Sequence, residues 1–283
     1  MSRPVAVKGV AMPEAEASEA GFPAPKNNDN VSSPDIRMDA TTTIRLQRFT
    51  RDSDQTAFHS HLRLKYAVFV DEQSWPLAAD TLARQAVEDA ADPYSCFVQA
   101  FAVEEVVGTV RGTRLDQAFP HQGILKHHLE RGGISLELGE LATLNSVAVR
   151  ADLRGEKFQI SGFPQPLTIA KAMVCELVQW FREQGTVAVI FTAILGVSSV
   201  FFEHLGAYVI DPPFQLGDVA YRLVNMALLT VDPERFDEQR SPLAMLCPSA
   251  SLDQRQLACI AYGRQRHREI LDGRTIEQLS FGG

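Results

Sequence analysis

The order of elements between Leu144 and Ile210 restricts this chain more than any other stretch. LNSVAVRADLRG (Leu144–Gly155) is a strand-like run that ends in a turn carrying two arginines and a glycine. LTIAKAMVCELVQWF (Leu167–Phe181) has apolar helical spacing, and VAVIFTAI, over 187–194, reads as a buried strand. SVFFEHLGAYVI (Ser199–Ile210) reads as a helix that closes at Gly206 and feeds a further strand. Upstream, IRLQRF from Ile44 alternates with period two, and a helix is expected over His59–Val70 with Leu62, Tyr66, Phe69 and Val70 on one face. CFVQAFAVE and VVGTVRGTRLD are expected to pair as a hairpin joined by Glu104 and Glu105. ILKHHLE is a short helical stretch, ELATLNSVAV the central strand and Val219–Thr230 the last. This series predicts an α/β (α+β) fold, a mixed sheet flanked by helices.

Three regions follow from composition along the chain. Residues 1–41 hold Pro13, Pro23, Pro25 and Pro34 among Glu, Ala, Ser and Asn, too little apolar surface to offset ordering, and are expected to form a disordered tail. Residues 42–230 form the main domain, and 231–283 a helical extension whose helix is expected over Leu252–Leu271, ending at Gly273. A net charge of -8 argues against a general nucleic-acid binder. Cys96, Cys175, Cys247 and Cys259 lack a CxxC rhythm and are expected as free thiols in a cytoplasmic protein. No apolar run reaches the roughly 18 residues of a membrane span, and no signal-peptide core follows the N-terminus. His59/His61 and His127/His128 lack the i, i+4 spacing that puts two metal ligands on one helix face, so no metal is expected. No G-x-S-x-G elbow or P-loop is present.

The strand–turn–helix series resembles the second half of a GCN5-related N-acyltransferase (GNAT), in which these elements bind the pantetheine-pyrophosphate arm of an acyl thioester. The N-terminal half resembles the acyl-homoserine-lactone synthases and the long-chain N-acyl amino acid synthases more specifically. In LRLKYAVFVDEQSW, Lys65 stands three before Val68-Phe69 and Trp75 six after Phe69, with Lys where the lactone synthases have Arg. Asp89 and Asp92 match their D-x-x-D pair, and Arg111 follows Gly108 as in their G-x-x-R. The resemblance spans about residues 44–230. It implies a mostly antiparallel GNAT sheet, no permanently bound cofactor, and a phosphopantetheine-linked acyl thioester on an acyl carrier protein as cosubstrate, with acyl-coenzyme A the alternative donor.

Acyl transfer to an amine needs a proton route, donors for the developing oxyanion and an apolar slot. A central strand splayed from its neighbour would free backbone N–H groups for the thioester carbonyl, and a turn opening a helix would offer N–H groups to phosphate. On this reading Glu140 is the general base, and Thr143 and Asn145, on the opposite face, orient the amine or a water. Ser146, Val147, Val149, Arg150, Arg154, Gly155 and Ser199 hold the pantetheine arm. Phe69, Trp75, Asp89, Asp92 and Arg111 shape the acyl or acceptor pocket. The basic run Arg264–Arg268 and the Arg150, Arg154, Lys157 group are candidate docking patches for an acidic carrier protein.

The chain departs from both patterns. Gly139 and Thr143 replace the Trp and Arg of the synthases' W-E-x-S-R, which implies a product other than homoserine lactone. The insert FQISGFPQP, expected to form an expanded loop, separates the turn from its helix, and Phe202 stands where many acetyltransferases have a proton-donating Tyr. Three readings stand at this point: an N-acyltransferase fed by a carrier protein, making a specialised metabolite or N-acyl amide; an acetyl-coenzyme A N-acetyltransferase; and a non-catalytic binding module.

Overall fold

The computed structural model describes residues 42–73, 85–116, 130, 136–194, 205–215, 223–230, 232, 243 and 252–280. The tail over 1–41, ILKHHLE up to Leu129, Trp75, Ser199, Phe202 and Cys247 lie outside these residues.

The strands are β1 (Thr43–Thr50), β2 (Ser95–Ala102), β3 (Glu105–Arg114), β4 (Leu141–Val149), β5 (Lys157–Ile160), β6 (Leu167–Thr168), β7 (Ala188–Ile194), β8 (Tyr208–Val209), β9 (Phe214–Gln215) and β10 (Leu223–Leu229). They form one ten-stranded sheet in the order β6-β5-β1-β2-β3-β4-β7-β10-β8, with β9 also on β10. All pairings are antiparallel except β1–β5 and β4–β7. The helices are α1 (Gln55–Tyr66), α2 (Ile169–Glu183) and α3 (Gln254–Ser280).

Helix α2 has the local signals its sequence promises. Thr168 caps it by accepting from the Lys171 N–H. At its other end Gly185, at φ +87°, donates to Arg182 O while Thr186 N donates to Phe181 O, the paired bonds of a Schellman stop. Its apolar face, including Ile169, Met173, Leu177 and Phe181, is buried against Val98, Val110, Ala142 and Leu144 of the sheet. Two glycines of β3 set the spacing. A Cβ on Gly108 would lie 2.8 Å from Ile169, and one on Gly112 2.7 Å from Phe181. The Gly of G-x-x-R is therefore a packing position.

The other sheet face receives α1. Asp54 caps this helix at Ala57 N, four residues before the expected start. Past Tyr66 the chain widens into a π-helical turn, Ala67–Glu72, which carries Val68 and Phe69 onto Ala148 of β4.

Four expectations are corrected. The insert after the central strand is no loop, because Phe158 and Ile160 alternate inward while the segment pairs as β5 and β6 and extends the sheet beyond β1. The β2–β3 turn is Val103–Glu104, with Val103 at φ +57°, since Glu105 already pairs with Ala102. α3 runs through Gly273 to Ser280, as one glycine costs a helix only about 1 kcal/mol. Finally, the candidate docking patch Arg264–Arg268 is partly spent on packing, with only Gln265 and Arg268 exposed. Arg264 forms a bidentate bond to buried Asp232 (2.6 and 2.7 Å), Arg266 reaches Ile210 O (3.2 Å), and His267 Nδ1 accepts from Val209 N (3.2 Å). These side chains hold α3 on β8, where a Cβ at Gly263 would collide with the Tyr208 ring.

Candidate active site

The parallel pair β4–β7 is in register only at Leu141↔Ala188 and Ala142↔Val189. Both strands continue for several residues beyond, β7 fully paired with β10, so the two diverge. Glu140 O accepts from Val187 N on the β7 side, while Leu141 O accepts from Leu115 N on the β3 side. Peptide groups alternate sides along a strand, so those of Leu144 face the widening gap without a partner strand.

A bulge lies beside that gap. The β3–β4 register slips between Thr109 and Arg111, leaving Ser146 and Val147 opposite Val110, and Ser146 takes φ +55°. The extra residue re-phases the side chains. Before it, Ala142 and Leu144 face α2; after it, Val147 and Val149 do, and Ala148 turns to the α1 face. Strict alternation would have put Val147 and Val149 beside Thr143 and Asn145.

On the α1 face the sheet is polar. Cross-strand register aligns Phe97, Arg111 and Asn145 in one row, and Ser95, Thr113 and Thr143 in the next. Arg111 Nη1 donates to Asp92 Oδ1 (2.5 Å) and to Asp89 Oδ2; Lys65 Nζ lies 3.5 Å from the same Asp89 oxygen. The D-x-x-D turn closes on itself, with Asp89 N donating to Asp92 Oδ2 and Ala91 N to Asp89 Oδ1, both at 2.9 Å. Asp92 is fully buried, whereas Asp89 is 39% exposed and is the cluster's opening to solvent. Among the described residues the side chains of Thr143, Asn145 and Ser146 make no hydrogen bond, so their capacity is unspent. Asp89, Asp92, Arg111, Thr143, Asn145 and Phe69 are thus brought to one face.

A further member is His61. It is buried, with Nδ1 2.7 Å from Thr109 Oγ1, its ring edge-on to Phe97, and Nε2 without a partner. Burial, then the neighbouring basic groups Lys65 and Arg111, push its pKa well below the ordinary histidine value, so the ring is neutral. Lys65 is pushed below the usual lysine value by burial and by Arg111, against the pull of Asp92 and Asp89. For Asp89, burial raises the pKa but Arg111 and Lys65 outweigh it and leave the carboxyl below the ordinary range. In the sequence His61 stands out only beside His59, at a spacing unsuited to metal. Its position one helical turn before Lys65 was the signal that it shares Lys65's face.

Other candidates fall elsewhere. Glu140 sits at the paired end of β4–β7, its carboxylate bound to Arg255 of α3 and to Glu137 N (2.9 Å). The structure does not bring it to the open part of the gap. The turn after β4 leads into β5, so it opens no helix, and α2 starts only at Ile169. Its arginines are engaged, Arg150 with Glu105 (2.7 Å) and Asp152 (2.6 Å), Arg154 with Glu72 and Val149 O. Gly155 is exposed at φ +83°. A cavity of about 730 Å³ lies at the paired end, lined by Phe163, Glu176, Arg182, Thr186, Asp253 and Arg255, away from the gap. Among the described residues no His, Cys, Asp and Glu side chains cluster as metal ligands, and no helix is long and apolar enough to cross a membrane.

Neither a family model nor a curated protein sequence matches the chain. Solved structures do. BjaI, a CoA-dependent acyl-homoserine lactone synthase determined with SAM and isopentyl-CoA, superposes with a TM-score of 0.52 at 15% identity, covering 77% of this chain and 99% of BjaI. TofI, in a ternary complex with an inhibitor and MTA, gives 0.51 at 15% identity over 72% and 100%. FeeM, an N-acyl amino acid synthase from uncultured soil microbes, gives 0.50 at 16% identity over 74% and 100%. The chain therefore has the fold of these proteins.

Proposed function

We propose that this protein is an N-acyltransferase that moves an acyl group from a phosphopantetheine thioester to a small amine. The observation that carries the reading is the divergence of β4 from β7 after only two register positions, beside the bulge at Ser146. A pantetheine arm entering the gap takes the place of the missing strand. The Leu144 peptide and those re-aimed by the bulge donate to the thioester carbonyl, and the same donors hold the oxyanion in the transition state. Val147 and Val149 give the acyl chain an apolar wall on the α2 side. The amine approaches from the α1 face, where Asn145 and Thr143 have free hydrogen-bonding groups and Asp89 offers a carboxylate to an ammonium.

For the thioester's carrier we favour an acyl carrier protein. Arg150 and Arg154 are held in ion pairs, and the turn precedes a strand, so the compact pyrophosphate nest that coenzyme A would use is not built from the expected residues. BjaI is itself CoA-dependent, and coenzyme A is the alternative donor. The product belongs to N-acyl amide or specialised-metabolite synthesis, and the protein acts in the cytoplasm.

The test offers purified protein octanoyl-carrier protein and octanoyl-coenzyme A separately, with a pool of standard amino acids, S-adenosylmethionine and simple polyamines, and identifies products by mass. An octanoyl amide formed from the carrier thioester is expected. Formation from coenzyme A alone would transfer the donor assignment, and no product from either would leave the binding-module reading.

A further inference from the structure

We infer that Lys65 is the proton acceptor for the amine, working through Asp89. The inference rests on the acyltransferase reading above and adds to it the group that deprotonates the acceptor.

The surroundings of Lys65 suit an ammonium ion poorly. Lys65 Nζ has three donors, yet among the described residues its side chain makes one hydrogen bond, to Asp89 Oδ2 at 3.5 Å. That oxygen is shared with Arg111, which also holds Asp92. The Lys65 side chain is only 4% exposed, so water does not make up the difference. The groups facing it are Arg111 from β3, Asp89 and Asp92 from the turn before β2, and His61 one turn earlier on α1. Arg111 stays charged and His61 is neutral. With Lys65 as a free amine, Asp89, Asp92 and Arg111 sum to one negative charge. That charge draws in a cationic acceptor at Asp89, the one member open to solvent.

The proton balance closes. An acceptor ammonium docks on the Asp89 carboxylate and gives up a proton, which the carboxylate passes to the Lys65 amine. Lys65 becomes an ammonium and the acceptor a neutral amine, able to attack the thioester carbonyl. The nitrogen's second proton leaves with the departing thiolate as the C–S bond breaks. Lys65 then returns its proton to water by way of Asp89. An arginine at this position could still bond to Asp89 but, being always charged, could not take up the proton.

Lys65→Arg is the discriminating variant. It places a permanent cation at the position and removes the acceptor, so kcat/KM at neutral pH should fall by ~10²-fold. The deficit should shrink as pH rises toward the pKa of the amine used, because the acceptor then arrives already deprotonated. A variant equal to wild type at every pH, or lowered by the same factor at every pH, would overturn the assignment. Side-chain NMR of isotope-labelled lysine in the full chain is the independent measurement and needs no substrate. A Lys65 midpoint well below that of the exposed Lys157 is expected, and one at or above it would overturn the inference even if Lys65→Arg failed to fold. If wild type transferred no octanoyl group from either donor, the acyltransferase reading would fall, while the NMR midpoint would still decide whether Lys65 is an acid-shifted amine.

Discussion

His61 shows how a single buried side chain couples this site to solution conditions. Its folded-state pKa lies below the unfolded value near 6.5. The unfolded chain therefore binds a proton that the folded chain refuses, and stability present above that value is lost as pH falls below it. The loss approaches about 1.4 kcal/mol per pH unit within that window. Asp89 acts in a separate, lower window. Its depressed carboxyl contributes stability above the ordinary carboxylate value, lost as pH falls toward the folded one. Urea unfolding at about pH 7 and about pH 5 should show wild type losing more than His61→Phe, in which an aromatic ring still packs on Phe58 and Phe97. Equal losses would show that His61 is charged when folded. Asp89, Asp92 and Arg111 stand out in the sequence only through the resemblance to the synthases' D-x-x-D and G-x-x-R motifs. His61 was not legible, since its role depends on Thr109 and Arg111, distant in sequence and brought near only by the β3–α1 contact.

At the level of elements, α2 and β3 show what periodicity conveys and what it omits. The helix was readable from its apolar spacing, but its closeness to the sheet is set by two missing side chains. Gly112→Val would push branched carbons into Phe181 and Leu177. Overpacking of this kind costs about 1–3 kcal/mol, and thermal unfolding should register it as a clear drop in Tm; an unchanged Tm would mean that α2 shifts freely. The bulge at Ser146 was not legible, because a left-handed residue is usually announced by Gly or Asn and this one is Ser. The β5–β6 hairpin was misread for a related reason. Gly162 and two prolines look like loop signals, although Phe158 and Ile160 alternate beneath them.

For the molecule as a whole, the organising feature is one sheet with two unlike faces. The α2 face is apolar and continuous, while the α1 face carries buried charge that only a filled network can stabilise. Between them the sheet opens at a single seam, where β4 leaves β7. α3 closes the far end of the molecule, since Arg255 engages Glu140 at the paired end of that seam and Arg264 holds Asp232. This placement ties the Glu140 carboxylate to Arg255 and Glu137 N at the paired end, away from the polar face beside the open part of the seam. The seam is also the point on which the account depends. Backbone amide NMR with a non-transferable octanoyl-pantetheine amide tests it most directly. Resonances of Leu144–Val149 and of the β7 residues beyond Val189 should shift on binding while those of Leu141, Ala142 and Ala188 hold still. Shifts confined to other parts of the molecule, or none at saturating ligand, would contradict it.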